Sequence, residues 1–220
     1  MHACVSKTLL VAITVILIVL TLMLWRPWEF RRAIDLEYVR AKLREIAEII
    51  EQGVPATLEV DVPLKVFEEY DVVVLTITRP NEEPIVIRLP ISAIVYEDRS
   101  LRLPLRVERR GLVEIVENGT MIILKPLPRV DSTVVVEYGR EFHLVVVGLV
   151  KLRSERTVVR GKIAITFDEL EPYTYLRSYD YSGVSKVRLG GMDMIRVGVS
   201  RGTGLKITIA GVIAKISQEG

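Results

Sequence analysis

The stretch LVEIVENGTMIIL, Leu112 to Leu124, decides the fold class. Leu112–Val116 and Thr120–Leu124 are short runs rich in β-branched residues. Between them Asn118-Gly119 is the dipeptide that best accepts the positive φ of a tight hairpin turn. Outward from this hairpin the same period of two recurs. Upstream, Leu58, Val60 and Val62 alternate with Thr57, Glu59 and Asp61, followed by DVVVLTIT (Asp71 to Thr78), PIVIRLPISAIVY (Pro84 to Tyr96) and LRLPLRVE (Leu101 to Glu108). Downstream come STVVVEY (Ser132 to Tyr138), FHLVVVGLVKL (Phe142 to Leu152), VVRGKIAITF (Val158 to Phe167), VSKVRL (Val184 to Leu189), DMIRVGV (Asp193 to Val199) and GLKITIAGVIAKI (Gly204 to Ile216). Many short strands separated by turn signals predict a mainly β chain with an antiparallel, sandwich-like body. Pro90 and Pro104 cannot donate to a ladder, so their strands belong at an edge or a bulge.

The two prolines of KPLPRVD (Lys125 to Asp131) part the strands into two sets whose order is similar. Leu58–Asp61 corresponds to Val134–Glu137, Asp71–Val74 to Leu144–Val147, Ile91–Asp98 to Ile163–Glu169, and the Asn118-Gly119 turn to Arg201–Gly204. This reading expects two tandem β units, 55–128 and 129–220, with Leu170 to Gly183 inserted in the second.

Before the strands the period changes. Thr8 to Trp25, TLLVAITVILIVLTLMLW, carries no charge; as a helix it spans about 27 Å, close to the hydrocarbon core of a bilayer. Trp25 and Trp28 suit the headgroup layer, and Arg26-Pro27 end the run. No small-residue cleavage site follows it. Residues 1–28 therefore read as a single-pass membrane anchor that meets lipid through 8–25. Residues 29–54 read as an amphipathic stalk helix: Leu36, Val39, Leu43, Ile46 and Ile50 step by three and four, with Gly53 as cap and Pro55 as stop. That seam either lies on the β body or joins stalks into a homo-oligomer. Arg44 and Glu48 are spaced to pair along it.

The basic residues Arg26, Arg31, Arg32, Arg40, Lys42 and Arg44 follow the anchor and favour a cytoplasmic body. Against this stand the usual arrangement of short N-terminal anchors on β-rich bodies and the Asn118-Gly119-Thr120 sequon, which favour the outside. The expectation adopted is an extracytoplasmic body. With 30 Lys and Arg against 28 Asp and Glu, interspersed, the chain lacks the one-sided basic stripe of a nucleic-acid binder. A single cysteine rules out an internal disulfide and CxxC zinc sites. Abundant Arg, Glu, Val and Ile with few Asn and Gln match a heat-adapted, archaeal composition.

The chemistry-bearing residues are sparse. His143 sits in a strand-like run, and no nucleophile motif accompanies it. FDELEP (Phe167 to Pro172) offers carboxylates without the Asp/Asn-Gly spacing of a calcium loop. No catalytic residue, metal ligand or cofactor is assigned. The candidate site is LEPYTYLRSYDYSG, where Tyr173, Tyr175, Arg177, Tyr179 and Tyr181 alternate and would share one face of an extended segment. Tyr and Arg suit protein recognition because they bury a large area with a polar end.

The succession of apolar helix, amphipathic helix and β body resembles, in architecture alone, archaeal pilin-like proteins and archaellum-associated anchors; the processing site of pilin precursors is lacking here. The function expected is non-enzymatic: a membrane-anchored interaction or structural protein of the cell envelope. The alternative is an accessory subunit of a membrane complex that recruits a substrate or soluble partner through the tyrosine segment.

Overall fold

The computed structural model describes residues 13–18, 27–79, 82–137, 139–178, 183–199 and 203–219. The chain divides into two compact units, Met1–Lys42 and Leu43–Gly220. Within the first, residues 13–18 form a helical stretch (α1) with Ile13, Val15, Ile16, Leu17 and Ile18 all exposed. Most of the apolar run Thr8–Trp25 lies outside the described residues. Among the described residues no helix is long and apolar enough to cross a membrane. A second helix, α2, runs from Pro27 to Gln52. Proline suits its first position because the N–H it lacks would have no helical partner there. Gly53 ends it at φ +64°, donating its N–H to the Ile49 carbonyl at 3.0 Å.

The body is mainly β, a single 11-stranded sheet. In chain order the strands are β1 (Ala56–Arg79), β2 (Glu82–Glu97), β3 (Leu103–Arg110), β4 (Val113–Gly119), β5 (Met121–Pro126), β6 (Arg129–Glu137), β7 (Arg140–Ser154), β8 (Val158–Ser178), β9 (Gly183–Leu189), β10 (Met192–Val199) and β11 (Gly204–Gln218). The pairing order is β3-β4-β5-β2-β1-β8-β11-β7-β6, with β9 on β1 and β10 on β9. Strands from either side of Lys125–Asp131 meet where β1 pairs with β8, from Ala56↔Ile165 to Lys65↔Val158, and again where β9 pairs with β1. The Asn118-Gly119 hairpin joins neighbours β4 and β5, whereas β10 pairs with β9, and β11 with β7 and β8.

Three details refine the sequence expectations. The hairpin closes at Asn118↔Met121, so its central residues are Gly119 and Thr120, one position later than expected. Gly119 takes φ +59° at the first central position, where a type II′ turn uses glycine. The sheet is not wholly antiparallel: β7 and β11 run parallel from Phe142↔Gly204 to Ser154↔Ile216. Parallel neighbours need a long crossover, and β8, β9 and β10 supply it. Both prolines sit where a missing N–H is tolerated. Pro104 falls in the register shift of edge strand β3, and Pro90 lies where β2 pairs with β1 alone, before β5 joins at Ile94.

Strands distant in pairing order share one core. Leu75 and Ile77 of β1, Leu89 of β2 and Val187 of β9 cluster with Val145 and Val147 of β7 and Leu205 and Ile207 of β11, every one buried. A polar tie links the same layers: the Leu152 N–H of β7 donates to the Ser92 Oγ of β2 at 2.8 Å in the interior. Ser92 faces the irregularity in β1 between Phe67 and Asp71, where no regular ladder partner is available. Replacing Ser92 by alanine leaves a buried N–H without that acceptor. The expected cost is about 1–3 kcal/mol, read as a lower denaturation midpoint at unchanged slope.

Candidate functional site

Half of the tyrosine segment is strand, not loop. β8 continues to Ser178 in antiparallel register with β11, placing Tyr173 opposite Ile209, Tyr175 opposite Ile207 and Arg177 opposite Leu205. Directly opposite residues share a face, so Tyr173 stands on the side that carries the buried Ile209. It is nevertheless 60 % exposed, at the margin of that core. Thr174, on the other face, meets Thr208 through a hydroxyl–hydroxyl contact of 3.3 Å. Tyr179 and Tyr181 lie outside the described residues, as do Arg201 and Gly202.

The same register sets FDELEP in a strand. Phe167, Asp168 and Glu169 are ladder residues opposite Ala214, Ile213 and Val212. Asp168 is paired with Lys215. A strand sends alternate side chains to opposite faces and cannot wrap a cation as a loop does. Among the described residues no three His, Cys, Asp or Glu side chains converge as metal ligands. His143 is half-buried in β7, between Val134 of β6 and Leu205 of β11.

The stripe from Leu36 to Ile50, read either as lying on the β body or as joining stalks, is largely covered in the single chain. Val39, Leu43, Ile46 and Ile50 are buried and Leu36 is half-buried. Arg44 does not reach for Glu48. Its guanidinium grips Glu108 of β3 with Nε at 3.2 Å from both carboxylate oxygens and Nη2 at 2.9 Å from one, while Glu48 accepts from Gln52. These hydrogen bonds and the Arg110 contact hold the Glu108 carboxyl below its ordinary pKa despite partial burial. Glu114 behaves similarly in β4: burial pushes its carboxyl up, but hydrogen bonds from Arg109 and Lys125 outweigh this and leave it lowered. Both acids are structural anchors, each held by two cations.

Among the concavities of the β body that the sequence reading missed, two contrast in character. One is apolar, about 240 Å³, lined by Leu112, Leu127, Val146, Leu149 and Val212, with Arg129 and Asp131 also on its wall. Gly211 of β11 also lines it, and a Cβ there would stand 1.9 Å from the Leu149 carbonyl oxygen of β7. The other, about 180 Å³, is polar and lies beside the β1 irregularity, with Glu68, Glu69, Lys151 and Arg153 around Pro90 and Leu170. The doubled acids and the Lys-Leu-Arg alternation were visible in sequence, but their juxtaposition needs the approach of β1 to β7. Comparisons with protein-family models, with curated proteins and with solved structures find no match to this chain.

Proposed function

We propose that this chain is a non-enzymatic interaction protein, held at a membrane by Thr8–Trp25, whose β body engages a protein of the cell envelope through the tyrosine segment. The observation that carries the reading is Tyr173, a large ring left 60 % exposed although its backbone is paired into the sheet opposite Ile209. An aromatic side chain in water has area to bury, and few rotatable bonds to restrain, when a partner arrives. Tyr175 and Arg177 follow at the next alternate ladder positions. The acids and cations of the body pair with one another, which suits a stable support for such a surface.

A photo-cross-linking residue at position 173 is expected to give one discrete adduct in intact cells. The adduct should be lost in a Tyr175→Ala, Arg177→Ala background that melts within about 0.5 kcal/mol of the parent. Absence of an adduct, or an adduct indifferent to those changes, removes the segment from the proposal. The anchor is tested separately by alkaline extraction of membranes, where release of the full chain would overturn it. Digestion of the body by protease added to intact cells is expected from an extracytoplasmic placement; protection until lysis would put it in the cytoplasm.

A further inference from the structure

Strand β6 ends the sheet. It pairs with β7 from Arg129↔Gly148 to Glu137↔Arg140, and among the described residues no strand lies on its other side. Alternate residues of such a strand turn their N–H and C=O groups outward, unpaired, which makes an edge a template for another strand. Proteins usually guard edges with charge or proline. The opposite edge, β3, is guarded in that way by Pro104, Arg106, Arg109 and Arg110. From Ser132 to Val136, β6 has neither, and Val134 and Val136 are 51 % and 71 % exposed.

We propose that β6 pairs antiparallel with β6 of a second copy of this chain, about a two-fold axis at Thr133. The strand's own charges select this register. Pairing about Thr133 sets Arg129 opposite Glu137 at both ends, Val130 opposite Val136 and Ser132 opposite Val134. Moving the axis to Val134 would set Asp131 against Glu137, a like-charge pair. Inside each chain Arg129 already bridges Asp131 at 2.8 Å and Glu137 accepts from Lys206 at 2.8 Å. The new contacts therefore extend two existing pairs into four-charge rows across the junction. The valines exposed on one face gain apolar neighbours, and the outward backbone groups gain partners. This inference does not depend on the membrane anchor or on the tyrosine segment, because it concerns a different edge and a partner of known sequence.

The test uses the full chain in detergent with its single cysteine, Cys4, changed to Ser. Residues facing each other across a two-fold axis of an antiparallel ladder have Cα atoms about 4.5–5.5 Å apart, within disulfide range. Thr133→Cys is expected to give a covalent dimer on mild oxidation, and Leu105→Cys on the β3 edge is not. Arg129→Glu and Glu137→Arg variants, each with the Thr133→Cys change, are expected to lose the dimer when alone. Mixed, they should regain it, because each end then places Glu opposite Arg. Val134→Lys should abolish association with the strand content unchanged in circular dichroism. A wild-type chain monomeric at about 100 μM, where even small interfaces are populated, would overturn the proposal. So would cross-linking that favours position 105, or charge variants that do not complement on mixing.

Discussion

Gly211→Ala is expected to be the most damaging single-methyl addition in the body. The new Cβ would sit 1.9 Å from the Leu149 carbonyl oxygen and 2.8 Å from its carbon, and these are backbone atoms of the neighbouring parallel strand, unable to swing aside. The 13-pair β7–β11 ladder would have to part locally, and residues on both strands contribute to the shared core. Overpacking of this kind costs about 3 kcal/mol or more, which for a chain of this size lowers the melting temperature by about 10 °C. Gly148→Ala is the control one rung away, opposite Ala210. Its Cβ would meet nothing nearer than 3.9 Å, and the change should be neutral within about 0.5 kcal/mol. Thermal unfolding of both variants decides the matter; equal melting temperatures would mean that the two strands do not approach so closely.

The second large effect falls on the end of α2. Leu43 and Ile46 are fully buried, so Ile46→Ala should cost about 2–5 kcal/mol, and Ile46→Asp more because a charge would be buried without a partner. The exposed neighbour Glu48, changed to Ala, should cost less than about 0.5 kcal/mol. Denaturant unfolding of the full chain separates this from stalk pairing. If Ile46→Asp changed the oligomeric state and left the midpoint untouched, the helix face would be a self-association surface, and its burial within one chain would be refuted. A stripe at helical spacing looks the same in sequence whether it meets a copy of itself or the protein's own sheet.

That ambiguity marks how far the sequence reaches. The alternation of Leu58–Val62 and Asp71–Thr78, the turn signal at Asn118-Gly119 and the stop at Gly53–Pro55 set what each segment becomes, because strand period, positive φ and helix capping are local properties. The two strand prolines likewise announced a weak place in the ladder, and Pro104 and Pro90 occupy such places. The alternation of Tyr173, Tyr175 and Arg177 predicts a shared face if the segment is extended, and the β8 register sets these three at alternate ladder positions.

Partners were not legible, because nothing in a strand's own pattern says which neighbour it will take. The parallel β7–β11 ladder, the passage of β1 from β8 to β9 along one edge, and the grip of Arg44 on Glu108 rather than on Glu48 all join residues remote in sequence. They depend on which arrangement buries the most apolar surface while leaving the fewest backbone groups unpaired, a sum over the whole chain. The same sum leaves β6 at the rim of the sheet. The sequence alone determined that Ser132–Val136 is an uncharged strand; only the tertiary structure decided that it has an open side.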